Sequence, residues 1–175
     1  MKKLISLTLA LVLLAAMAAG CANSAPAGKE NLTDPLSAII DKIYEQHPLE
    51  IAVETMEVDI ADTDWALKSY TGLDSNDRIK EVTVSEAMIG SIAYSMVLVR
   101  VNDAKDAQSV AQQMKEGIDP RKWICVEADD LLVAGYGDVV MLIMVSSVYA
   151  EYGLTAQAMV DAFQTVCGGT LDFTI

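Results

Sequence analysis

The chain is poor in histidine, cysteine and positive charge. Its one histidine, His47, would have to serve any Ser-His-Asp or Cys-His arrangement, and its three cysteines show no spacing typical of a metal site. The 12 basic residues stand against 25 acidic ones, which gives a net charge of −13 at pH 7. Such a chain repels nucleic-acid phosphates and anionic lipid headgroups. We therefore expect no nucleic-acid partner, whereas the acidity leaves cationic peptides, metal ions or simple solubility open as its role. The absence of a Cys/His spacing leads us to expect no metal and no cofactor.

The longest apolar run is short for a membrane-spanning helix. It covers residues 4–19, which is 16 residues, whereas a span needs roughly 20 residues to cross about 30 Å of hydrocarbon. Lys2 and Lys3 precede the run, and three small residues stand directly before Cys21. This pattern predicts a lipoprotein signal peptide over residues 1–20, with ordinary secretion as the main alternative.

Cys21 is then the first residue of the mature protein and carries the lipid. Two acyl chains, at about 0.8 kcal/mol per buried methylene, hold a protein stably on a membrane. We expect the protein to be lipid-anchored on the extracytoplasmic side of the cell membrane. Residues 21–33, rich in small and polar side chains, predict a flexible tether.

Residues 34–175 predict a single domain, since their length suits one hydrophobic core. Apolar residues at helical spacing follow Asp34, a candidate cap, and Pro35. Helices are predicted near residues 35–47, 64–72, 103–117 and 155–167. Strands are predicted at residues 79–87, 92–101, 123–126, 131–133 and 139–145, with less regular candidates at 51–58 and 170–175.

The order of these elements predicts an α+β fold. Strands joined by short turns pair antiparallel, and helices that recur after each pair can cover the sheet. We expect a mainly antiparallel sheet of about four to five strands with helices packed on one face. Residues 92–101 are apolar on both faces and residues 139–145 are apolar throughout, so both should be central strands.

One pattern resembles a known family. The acidic domain, the stretch at 92–103 that leads from a strand into a helix, the Gly-Asp-Val-Val-Met-Leu-Ile-Met strand from Gly137 and Trp123 after the middle helix are similar to a domain-of-unknown-function family of small cell-surface lipoproteins from Gram-positive bacteria. The similarity spans about residues 36–168. It implies a cell-surface α+β lipoprotein and carries no activity. Residues 146–153 depart from the pattern as an insertion.

Clusters of acidic residues offer candidate chemistry. Calcium could bind near Asp59, Asp62 and Asp64 or near a second group, Asp74, Asn76 and Asp77, but helix capping explains the first group better and turn formation the second. A third group could supply an acid and a base, although a solvated turn is the simpler interpretation. It comprises Glu127, Asp129 and Asp130. Most of the nine methionines, including Met96, Met114, Met141, Met144 and Met159, fall on expected core faces.

Three tyrosines are the candidate binding residues: Tyr136, Tyr149 and Tyr152. They flank the last strand, and tyrosine is favoured where one side of a contact meets water. Cys125 and Cys167 could form one disulfide or remain thiols. Their apolar neighbours favour buried thiols.

No catalytic signature emerges, so the leading hypothesis is a non-enzymatic binding or interaction module of the cell envelope. A small-ligand or metal-binding accessory module of a transport system is a second class. An enzyme that uses acidic residues is the third, and a carboxyl with a raised pKa in a cleft would be its sign.

Overall fold

The computed structural model describes residues 31–175. The predicted signal peptide, Cys21 and the tether up to residue 30 lie outside the described residues. The helices are α1 (Leu36–Gln46), α2 (Lys68–Thr71), α3 (Ala107–Gly117) and α4 (Ala156–Cys167), with a π-helical turn at Thr63–Leu67 and 3-10 turns at Ala104–Asp106 and Ser147–Tyr152. The strands are β1 (Val53–Glu57), β2 (Ile79–Ala87), β3 (Tyr94–Val101), β4 (Asp130–Tyr136), β5 (Val139–Val145) and β6 (Phe173–Thr174).

The predicted α+β class is confirmed. The described strands form one antiparallel sheet in the order β1-β2-β3-β5-β4-β6. It has six strands rather than four to five, because both irregular candidates, at 51–58 and 170–175, contribute edge strands. Every residue of β3 and β5 is buried, as expected for central strands.

The helices cover both faces of the sheet, so the prediction that they pack on one face is wrong. Helix α3 packs over the face that carries Val97, Val99 and Leu142. Helices α1 and α4 pack on the opposite face, against Met96 and Leu98 of β3 and against Met141 and Ile143 of β5. A strand that is apolar on both sides needs an apolar cover on both sides.

Two local predictions also differ from the structure. The strand candidate at residues 123–126 belongs to an irregular loop, residues 118–129, since Cys125 has a positive φ of 65°. Asp34 does not cap α1, whose N-cap is Pro35. The Asp34 carboxylate instead accepts a hydrogen bond from Lys42 at 2.6 Å.

The sheet has two ends of different character. We call the end at which the described chain begins, beside Arg100, the tether end. There the buried side chain of Arg100 donates to the backbone carbonyls of Leu32 at 2.5 Å and Asp34 at 2.7 Å. Two carboxylates, of Glu81 at 2.6 Å and Asp138 at 3.3 Å, balance its charge. The start of the described chain is therefore fixed at this end. None of the helices within residues 31–175 combines the length and the apolar composition needed to cross a membrane.

Candidate binding surface

The opposite end of the sheet, called the far end, is where β3 begins at Tyr94 and β5 ends at Val145. Four connections meet there: residues 47–52, 88–93, 118–129 and 146–155. Each connection adjoins a strand at the end of the sheet farthest from Arg100, because antiparallel pairing places the start of one strand beside the end of the next.

Exposed apolar side chains collect at the far end. Among residues 31–175, seven large apolar side chains are exposed, and five of them belong to its connections. We call these five the far-end patch: Met88 (65% exposed), Ile89 (56%), Ile124 (81%), Val148 (64%) and Tyr152 (65%). The other two, Met56 and Trp65, lie on β1 and the π-helical turn. The concentration of exposed apolar side chains at one end of the domain makes that end the candidate interaction site.

The predicted binding tyrosines are only partly brought together. Tyr149 and Tyr152 lie on the 3-10 turn of the far end, in the segment 146–153 that the sequence predicts to be an insertion. Tyr136 lies at the other end of the sheet, opposite Val139 in the register of β4 and β5. The sequence places Tyr136 before β5 and Tyr149 and Tyr152 after it, so the two groups lie at the two ends of that strand and do not form one cluster.

A pocket of about 200 Å³ opens between the end of α1 and the start of α4. Tyr149 and Tyr152 form one side, and His47 and Glu50 are its ionisable residues. His47 lies directly after α1, where its backbone N–H donates to the carbonyl of Ile43 at 2.9 Å. The remaining wall is mostly apolar: Pro48, Leu49, Ile51 and Leu154.

Two carboxylates tie the far-end connections together. Asp129 accepts from the backbone N–H and the hydroxyl of Ser147, both at 2.6 Å, and these hydrogen bonds lower the pKa of its carboxyl. Asp130 accepts from the backbone N–H of Ala156 at 2.8 Å, in the first turn of α4. The two residues therefore position separate elements. Glu127 and Asp129 are exposed in the loop 118–129, as the predicted solvated turn requires, whereas Asp130 is the first residue of β4 and is partly buried.

Lys122 fixes the loop 118–129 to the sheet. Its ammonium lies 2.5 Å from Glu86 Oε1 and 3.2 Å from Ser95 Oγ, and 5.3 Å from the ring centroids of Tyr70 and Trp123. Burial lowers the pKa of Lys122, and the Glu86 charge opposes that effect. A serine beside a lysine can act as nucleophile and base, and sequence reasoning missed this pair. Ser95, however, is fully buried, so the contact is structural.

The other acidic candidates have local structural roles. Asp62 caps the π-helical turn by accepting a hydrogen bond from the backbone N–H of Trp65, as capping predicts, whereas Asp59 accepts from the backbone N–H of Ala61 ahead of that turn. Asp74 pairs with Lys68. Within residues 31–175, no group of three or more His, Cys, Asp or Glu residues is arranged to hold a metal ion.

The methionines and cysteines give a mixed result. Met96, Met114, Met141, Met144 and Met159 are fully buried, as predicted. Cys167 is buried on α4 as expected. Cys125 is an exposed, free thiol in the far-end loop, so it is not buried and no disulfide joins the two.

No family model, curated protein or solved structure matches this chain. The resemblance to the lipoprotein family therefore stays a prediction. What the described residues offer is an apolar surface with a small pocket, placed at the end of the sheet away from Arg100.

Proposed function

We propose that this protein is a lipid-anchored protein of the extracytoplasmic membrane face that binds a cell-envelope partner through its far end. The observation that carries the proposal is the separation of the two ends. The far-end patch lies at one end of the sheet, and the chain that leads back to Cys21 departs from the other, at Leu32.

This separation suits a tethered receptor. About ten residues lie between Cys21 and Leu32, and a flexible segment of that length has a mean span of roughly 18 Å. Strands of seven residues are roughly 24 Å long. With the tether end held near the membrane, the far-end patch faces outward, where a partner in the cell envelope can reach it.

Small-ligand binding for a transport system is the second candidate, and the pocket at His47 and Tyr152 is the observation that favours it. Its volume of about 200 Å³ is below the roughly 300 Å³ at which small-molecule sites begin. An enzyme using acidic residues has less support, because Asp103 and Asp129, the carboxyls with a clear shift, have lowered pKa values.

Site-specific photo-cross-linking of the full lipidated chain on intact cells tests the proposal. A photoreactive residue replaces Ile89 or Val148 at the far end, and matched controls replace the exposed Lys80 or Lys105 near the tether end. We expect a discrete protein adduct from the far-end positions and none from the controls. Adducts of equal yield at both ends, or none at the far end, would contradict the proposed function.

A further inference from the structure

We infer that the partner of the far-end patch is a basic protein segment that inserts one apolar side chain into the pocket beside His47. This inference rests on the proposed function and adds the chemistry of the partner to it. Three features of the described residues carry it: the size of the pocket, the charge of its surroundings and the net charge of the domain.

The pocket has room for one large side chain. Its volume is about 200 Å³, and Leu49, Ile51 and Leu154 provide apolar walls. Tyr152, 65% exposed, forms part of the rim. A single anchor in a desolvated pocket, surrounded by near-neutral contacts, is the usual arrangement at protein interfaces. Free small molecules usually occupy larger cavities.

The far end, which contains this pocket, is acidic. Its four connections contain five carboxylates against two cations. Both cations are already engaged, since Arg121 pairs with Glu127 at 3.1 Å and Lys122 with Glu86 at 2.5 Å. The carboxylates are those of Glu50, Asp119, Glu127, Asp129 and Glu151.

Glu50 is the carboxylate that lines the pocket, and Glu151 is an exposed carboxylate on the 3-10 turn that carries Tyr149 and Tyr152. Charged rims of this kind select partners of opposite sign. A segment with lysine or arginine on both sides of its apolar anchor complements both the pocket and its rim.

The net charge argues against two other occupants. Residues 31–175 contain nine basic and 24 acidic residues, a net charge of −15. Two copies of the domain repel each other, and an anionic lipid surface repels one copy. A basic protein segment is attracted by the same field.

Binding of synthetic peptides to the full lipidated chain in phosphatidylcholine nanodiscs tests the inference. Three fluorescent peptides of equal length serve as probes: a leucine flanked by lysines, a leucine flanked by glutamates, and the lysine peptide with glycine in place of leucine. Fluorescence anisotropy measures the affinity. We expect the leucine-lysine peptide to bind more than about tenfold more tightly than either of the others.

Variants assign this binding to the pocket and its rim. Tyr152→Ser should weaken the leucine-lysine peptide by about tenfold or more, as for an interface anchor. Glu50→Lys with Glu151→Lys should weaken it by roughly tenfold, since each rim charge contributes a few-fold. The matched control, Glu57→Lys with Asp77→Lys, changes the net charge equally at exposed positions outside the far-end connections. Its effect should stay below about twofold because salt screens distant charges.

Equal binding of the lysine and glutamate peptides, or equal losses in the rim and control variants, would overturn the inference. So would concentration-dependent dimers of the wild-type chain in sedimentation, or free leucine binding as tightly as the peptide. The two proposals fail separately. Far-end adducts without peptide selectivity leave the proposed function standing and remove the basic partner, whereas absence of far-end adducts removes the function.

Discussion

Lys122 is the residue whose contacts hold the far-end loop in place. Its side chain is 11% exposed, and its ammonium is the ion-pair partner, at 2.5 Å, of the buried Oε1 of Glu86. Removing a cation from such a pair leaves a desolvated carboxylate without its counter-charge. The cost of losing Lys122 should therefore exceed that of losing an exposed lysine.

We predict that Lys122→Met lowers the free energy of unfolding by roughly 2 kcal/mol. Adding Glu86→Gln to that variant should recover part of the loss, because the unpaired charge is then gone. Lys42→Met is the control, since the pair of Lys42 and Asp34 is about half exposed, and it should cost less than about 0.5 kcal/mol. Urea unfolding measures all three. Equal losses for Lys122→Met and Lys42→Met would contradict the prediction.

Tyr94 gives the domain a dependence on alkaline pH. Its hydroxyl lies 3.2 Å from that of Tyr44, which donates to Ser85 Oγ at 2.7 Å. Burial raises the pKa of Tyr44 and raises the pKa of Tyr94 well above its ordinary value. The folded state is stabilised by keeping these two hydroxyls protonated. Because their folded-state pKa values are raised, this contribution to the free energy of unfolding is complete below the unfolded-state pKa of about 10 and is lost as pH rises toward the folded-state pKa values.

Tyr94→Phe should reduce that loss. Above pH 10, each buried tyrosine adds up to about 1.4 kcal/mol per pH unit to the fall in the free energy of unfolding. The slope of that fall should therefore be smaller in the variant by up to this amount. At pH 7 it should cost about 1 kcal/mol for the lost hydrogen bond. Urea midpoints between pH 8 and about pH 11 measure both effects. Tyr152→Phe, at an exposed position, should leave the slope unchanged, and an unchanged slope in Tyr94→Phe would contradict the account.

At the scale of elements, two helix ends share a backbone conformation and differ in packing. Gly72 ends α2 with φ 77°, and Gly153 ends the far-end 3-10 turn with φ 78°. A Cβ on Gly72 would lie 2.3 Å from the backbone nitrogen of Ile118, whereas a Cβ on Gly153 would meet no atom within 4 Å. Both substitutions incur the left-handed penalty, and only one incurs a backbone clash.

We therefore predict different costs for the same substitution at the two glycines. Gly153→Ala should lose about 1 kcal/mol, the cost of a left-handed alanine. Gly72→Ala should lose about 3 kcal/mol, since α3 must also move away from α2. Thermal or urea unfolding of the two variants measures the difference. Losses that agree within about 0.5 kcal/mol would contradict the prediction, since they would show that the backbone near Ile118 moves aside for a Cβ on Gly72 without a cost in stability.

Apolar periodicity was sufficient to predict most elements. The strand predicted at 79–87 matches β2, and Thr155 caps α4 as expected, accepting a hydrogen bond from the N–H of Ala158 at 3.1 Å. Residues 123–126 were misassigned because their apolar side chains do not belong to a strand. The Trp123 ring contacts the Lys122 ammonium, and Ile124 is exposed. The two-sided cover of the sheet was implied by the apolar faces of β3, yet only the tertiary packing shows which helix lies on which face.

The candidate site was less predictable than the fold. Tyr149 and Tyr152 were identified from residue type and position, whereas their pocket depends on Leu49 and Ile51, which are distant in sequence. The roles of Asp129 and Asp130 likewise required the structure, because Ser147 and Ala156 belong to other elements. Residue type therefore predicts which side chains belong to a binding surface, whereas the residues that contact them are determined by the topology of the chain.

At the scale of the whole molecule, the two ends of the sheet differ. The sequence of residues 1–21 predicts a signal peptide and a lipid anchor, and the structure places the described start of the chain and the far-end patch at opposite ends. The exposed thiol of Cys125 lies in the far-end loop and is a natural probe of both statements. It reports whether the far end is reachable from outside and whether it is covered.

Labelling of Cys125 with a membrane-impermeant maleimide, on intact cells and on the purified full-length protein, is the most direct test. The control is Lys105→Cys in a Cys125→Ser background, a probe near the tether end. We expect both thiols to react in the purified protein, and on cells we expect Lys105→Cys to react while Cys125 is protected by a partner. Equal labelling of the two positions on cells would contradict the covered far end, and no labelling of either would contradict the extracytoplasmic location.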